Sequence, residues 1–153
     1  MNMALDYSLE LSTHLKPVQA LDLLAERLGL EPRDEAHLGG PGIWVSAIEQ
    51  TRLGRSIIEE GFHFSPDLSV GFRLDPNSLD YEKGKRLMLR STMLLLEQAG
   101  KDGVLLFNGE NIILQRTAGT LVLNEDWTWT DETRLEEEIT LPHERRPLPS
   151  PLL

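Results

Sequence analysis

The sequence predicts an α+β fold: a ferredoxin-like β-α-β-β-α-β core, a C-terminal β-meander that extends one antiparallel sheet, and two helices packed on one face. Three observations carry this expectation. Leu5, Tyr7, Leu9 and Leu11 alternate with Asp6, Ser8 and Glu10, the period-two pattern of a half-buried strand. Two later stretches place apolar residues at helical spacings: Val18, Leu21, Leu24, Ala25 and Leu28 in the first, and Met88 to Ala99 in the second. Between Gly103 and Asn124 the short apolar runs Val104–Phe107, Ile112–Leu114 and Leu121–Leu123 are separated by Asn108-Gly109 and Thr117-Ala118-Gly119. Asn and Gly tolerate the positive φ of tight hairpins, so this stretch reads as a meander.

Taken in order, the strand over Ala4–Leu11 ends at Ser12-Thr13. Pro17 suits the first position of the helix that follows, and Gly29 suits its C-terminal cap. Glu31–Gly42 reads as a loop ending in Gly39-Gly40-Pro41-Gly42; it has no P-loop lysine, and its proline removes an amide donor. Ile43–Glu49 is a strand with apolar groups on both faces, as a central strand has. Arg52–Phe64 is ambiguous and reads as a weak strand. Ser65-Pro66-Asp67 is turn chemistry, and Leu68–Asp75 alternates cleanly. Asp75-Pro76-Asn77-Ser78 stops it, and Ser78 can cap a helix from about Leu79 to Gln98. Its inward stripe is Met88, Leu89, Thr92, Met93, Leu95, Leu96 and Ala99, with Gly100 at its end; Lys83, Lys85, Arg86 and Arg90 form a basic outer face expected to be solvated.

The totals bound the function. A chain of 153 residues fits one domain, here residues 1–141, followed by a proline-rich tail over 142–153. Without cysteine there is no disulfide, thiol nucleophile or sulfur-ligated metal, which suits a reducing cytoplasm. The first residues carry no basic-then-apolar leader, and no window approaches the ~20 apolar residues of a membrane span. A net charge of −10 argues against direct nucleic-acid or anionic-membrane binding and permits a basic partner.

One segment concentrates acid around aromatics. Glu125, Asp126, Asp131, Glu132, Glu136, Glu137 and Glu138 surround Trp127 and Trp129, and Arg134 is the only base between Glu125 and Thr140. Such a composition suits a partner-binding surface that anchors by aromatic burial and discriminates by charge. Alternatively one or both Trp side chains cover the edge of the domain's own core. Catalytic groups are harder to find. His14, His37, His63 and His143 lie scattered at no metal-ligand spacing, and no nucleophile elbow is present. Asp75 and Asp80 flank a helix start, where turn formation and the helix dipole account for them. No catalytic residue, metal or cofactor is therefore assigned.

Met3–Leu11, Val70–Asp75 and Asp102–Glu110 together resemble the immunity proteins of bacterial swarm-inhibition-toxin systems, small cytoplasmic proteins of myxobacteria and other bacteria. The resemblance runs from the first strand to about Asn124 and leaves out the acidic Trp segment. It implies a protein that binds and neutralises a cognate toxin without turnover. Two alternatives stand beside it. A small hydrolase would bring together two or more of His37, His63, Asp75 and Asp80. A self-associating adaptor would expose Ala4–Leu11 or Leu121–Leu123 at a sheet edge.

Overall fold

The first strand, β1 (Leu5–Leu11), lies inside the sheet and is hydrogen-bonded along both edges, so every other element is placed relative to it. The computed structural model describes residues 4–99, 102–127, 129 and 134–151. After β1 come α1 (Pro17–Leu28), β2 (Glu31–Asp34), β3 (His37–Gly40), β4 (Ile43–Glu49), α2 (Arg52–Phe62), β5 (Leu68–Leu74) and α3 (Tyr81–Ala99). The chain continues through β6 (Gly103–Phe107), β7 (Asn111–Thr117), β8 (Thr120–Asn124), a 3-10 turn (Leu135–Glu138) and β9 (His143–Arg146). The strands form one mixed sheet in the order β2-β3-β4-β5-β1-β6-β7-β8-β9. All pairings are antiparallel except β8 with β9.

The fold is α+β, with three α-helices among the described residues where two were expected. Helices α1 and α3 cover one face: Ala20, Leu21 and Leu24 of α1 and Met88, Leu89, Met93, Leu95 and Leu96 of α3 pack with Leu9, Leu11, Val45, Val70 and Phe72. Arg52–Phe62 forms α2, a helix and not a weak strand, and it lies on the opposite face. Its Ile58 and Phe62, one turn apart, bury with Phe64 against Val104, Leu106 and Ile112. The Thr51 hydroxyl caps it by accepting from the Gly54 amide at 3.0 Å. Gly54, Gly61 and the β-branched Ile57-Ile58 pair are weak helix formers, so tertiary burial decides the outcome.

Residues 31–40, expected to be loop, form the β2-β3 hairpin at one end of the sheet. The Asp34 carboxylate accepts from the Ala36 amide at 2.8 Å and turns the chain. All four residues of β2 are exposed, which removes the alternation that would have marked a strand, and Pro32 suits an edge position. The meander is present as β6, β7 and β8. A bulge between Leu105 and Leu106 makes Ile113 an extra residue, so Ile113 and Leu114 join the α1/α3 face while Ile112 joins the α2 face. The proline-rich end is partly built into the sheet, because His143–Arg146 adds β9 beside β8. The side chain of Ala99 and residue Gly100 lie outside the described residues.

The expected solvated basic face on α3 is not solvated throughout. Lys85 is buried, with its Nζ 2.7 Å from the Glu82 carboxylate and over the Tyr81 ring at 4.6 Å. Neither candidate self-association strand lies at an edge: β1 sits between β5 and β6, and β8 between β7 and β9.

The turn before β4 is locked against α3. Gly42 has φ +71, and a Cβ there would lie 2.2 Å from the Asp80 carbonyl oxygen; a Cβ at Gly84 would lie 2.5 Å from the Gly42 carbonyl oxygen. Gly84→Ala would gain about 1 kcal/mol of intrinsic helix propensity, yet the backbone overlap should reverse the sign and destabilise the fold by about 2 kcal/mol or more. Urea denaturation of the variant checks this.

Candidate functional site

The acidic Trp segment begins at Asn124, the last residue of β8, which gathers three parts of the chain. Its side-chain amide donates to the carbonyls of Ile112 at 2.8 Å and Leu148 at 3.2 Å, and its Oδ1 accepts from the Leu148 amide. Its backbone carbonyl accepts from the Trp129 indole at 2.7 Å. Trp129 is fully buried in the main core, and its ring meets that of Trp127 edge-on at 4.7 Å. The Trp129 amide donates to the Trp127 carbonyl at 2.8 Å. Half-buried Trp127 donates to the Tyr7 hydroxyl; burial, with Tyr81 nearby, pushes the Tyr7 phenol well above its ordinary range despite that hydrogen bond.

Beyond Arg134 the chain lays Leu135 and Ile139 into the core, and the 3-10 turn between them brings acids onto α3. Glu138 accepts from Arg90 Nε at 2.6 Å and from Arg86 Nη1 at 2.9 Å. Burial by itself raises the Glu138 carboxyl, but the hydrogen bonds and charges of Arg90 and Arg86 outweigh it and hold the group below the usual carboxylate range. Glu136 faces His143 at 3.2 Å and Arg145 at 3.3 Å, which ties the turn to β9. Glu137 makes a long, exposed ion pair with Arg134. Glu125 and Asp126 are exposed at the turn after β8, while Asp131 and Glu132 lie outside the described residues. Of the residues expected to meet a partner, Trp127, Trp129, Glu136, Glu137 and Glu138 thus have partners within the chain, the Glu137 pair being exposed.

A carboxyl group that the sequence pattern placed on the outward face is buried instead. Glu10 of β1 is 4% exposed, because α2 and the residues leading into it cover that side of the sheet. Ser69 donates to its Oε2 at 2.7 Å and the Gln50 side-chain amide donates to its Oε1. Burial raises its pKa, and hydrogen bonds from Ser69, Ser8 and Gln50 offset this only in part. The missed signal was α2: without a helix there, Glu10 reads as solvated.

The four residues that a hydrolase would bring together stay apart. His37, on β3, donates from its ring Nδ1 to the Asp34 carboxylate at 2.8 Å and packs beside Trp44. His63 ends α2 in the left-handed conformation and lines a hollow with Asp102 and Leu148. Asp75 accepts from the Asn77 amide in its turn, and Asp80 pairs with Lys83 on the first turn of α3. Among the described residues no group of three His, Cys, Asp or Glu is placed to hold a metal, and no helix is long and apolar enough to cross a membrane.

Comparison with known proteins gives one result. A family model described as SitI3-like matches residues 5–134. The match passes Asn124 and takes in Trp127 and Trp129, the segment left out of the resemblance seen in the sequence. No curated protein and no solved structure matches the chain.

The two carboxyls give stability effects of opposite sign with pH. Glu138 titrates below its unfolded value, so its contribution is present above the ordinary carboxylate range and is lost as pH falls through the folded value. Glu138→Gln should cost about 1–2 kcal/mol at pH 7, and the deficit should close in acid. Glu10 titrates above its unfolded value, so the wild type loses stability as pH rises from that value through the folded one. Glu10→Gln should therefore gain relative to wild type across that window, as read by urea denaturation at a series of pH values.

Proposed function

The chain belongs to the SitI3-like family, and from that premise we propose that it is an immunity protein: it binds a cognate protein toxin stoichiometrically in the cytoplasm and blocks it by covering the toxin's surface. The family match over residues 5–134 is the observation that carries this reading. Two features support it. The patterned segments of the chain are spent on one sheet and its covering helices, and the groups a hydrolase would need are dispersed. A net charge of −10 also favours rapid association with a basic protein through electrostatic steering. The scaffold for this role is, on our reading, a ferredoxin-like core of β4-β5-β1-β6 with α1 and α3, into which the β2-β3 hairpin and α2 are inserted.

The experiment is co-expression with the toxin encoded by the neighbouring reading frame. Growth should be rescued only when the immunity protein matches or exceeds the toxin in amount, and the purified pair should elute as a complex of fixed ratio. Protection by the protein at a small fraction of the toxin's concentration, with conversion of a substrate over many cycles, would overturn a binding mechanism.

A further inference from the structure

Resting on the toxin-binding reading, we infer that the partner is held at the groove between α1 and the β2-β3 hairpin, and that the groove receives an arginine or lysine side chain of that protein. The groove encloses about 360 Å³. Val18, Leu21, Pro32 and Leu38 give its lining apolar surface, and Asp22, Asp34 and Glu35 give it carboxylates. Apolar surface beside carboxylates fits a long aliphatic stem that carries a cationic head.

The local structure explains why the groove is open and why its charge is available. Val18 and Asp22 are one turn apart on α1 and share the flank that faces the hairpin, and Val18 is left 57% exposed. Of the β2 residues, Pro32 and Asp34 line the groove on either side of a bulge in the hairpin, while Glu31 and Arg33 pair with each other at 3.5 Å. Among the described residues, no lysine or arginine lines the groove. Among the described residues, neither Asp22 nor Glu35 has an ion-pair partner, and Asp34 is engaged only by the Ala36 amide and His37.

Other surfaces lack this combination. At the C-terminal segment Glu136 and Glu138 already hold bases, and Trp129 is buried. The exposed Trp44 lies near an Arg73–Asp6 pair, so its surroundings carry both signs. Of these three surfaces the groove is the one that couples exposed apolar surface to several carboxylates without a base, which is the charge complement of a basic partner.

The test measures binding of the purified toxin from the neighbouring reading frame by calorimetry, and the association rate as a function of salt. Asp22→Lys with Glu35→Lys should weaken binding by at least about tenfold and flatten the salt dependence of association. Val18→Ser, which adds no charge, should weaken it by several-fold. Glu125→Lys with Asp126→Lys, and separately Trp44→Ala, should change affinity by no more than about twofold. All six positions are exposed, so each variant should keep the wild-type circular dichroism spectrum and melting temperature. A loss at Trp44 or at Glu125 and Asp126, with the groove variants binding normally, would overturn the groove while leaving toxin binding intact. Absence of binding by the wild-type protein would instead overturn the function from which the groove is argued.

Discussion

The pairing of β1 on both edges is the constraint on which the rest of the structure depends. Leu5–Leu11 registers against Leu68–Leu74 on one side and against Gly103–Phe107 on the other, so three segments distant in sequence become one surface. Because side chains alternate, this register sends Leu9 and Leu11 to the α1/α3 face and Glu10 to the other. A one-residue slip would drive Glu10 into the main core and expose Leu9. Each fully buried leucine contributes about 2 kcal/mol, so the register is strongly specified. It also requires a second layer, since Val104 and Leu106 beside β1 are apolar on the far face and would be exposed without α2.

The same economy governs charge. Arg86 and Arg90 of α3 and the glutamate-rich segment that follows β8 are complementary within one chain, and the fold brings them together at Glu138. The long side chains of Arg86 and Arg90 converge on one carboxylate that is only 12% exposed, so water screens the contact less than it would a surface pair. Trp129 is buried in the main core. Part of the acidic segment is thus used inside the chain, where Glu138 ties it to α3 and Glu136 ties it to β9.

Much of the architecture was legible in the sequence wherever one element buries one face. β1, α1, β5, α3 and the β6-β7-β8 meander carry strong periodicity, and they appear close to where the pattern places them. The elements that were missed lack such a pattern for physical reasons. β2 buries nothing, and α2 buries chiefly Ile58 and Phe62 while leaving Leu53 and Ile57 exposed, so neither period is sustained. The parallel strand β9 is built from His, Glu and two Arg, a charged edge that discourages further pairing and hides the strand from any hydrophobic reading. The site was less legible still. Composition reports that acids and tryptophans are adjacent in sequence, whereas availability depends on whether a base such as Arg90, 48 residues from Glu138, reaches them in space.

Availability is what separates a binding surface from a merely acidic one. For a protein whose charge is −10, the informative carboxylates are those left over once internal partners are assigned. Glu138 and Glu136 are removed by that subtraction, Glu82 by Lys85, and Glu10 by burial. Carboxylates that survive it beside exposed apolar surface occur where the β2-β3 hairpin meets α1. A hairpin that extends the sheet with a wholly exposed strand adds little to the core; what it adds is the second wall of a groove, the kind of concavity a protruding side chain of another protein can enter. On the groove proposal, the polar sequence of β2 serves the surface that the hairpin makes with α1.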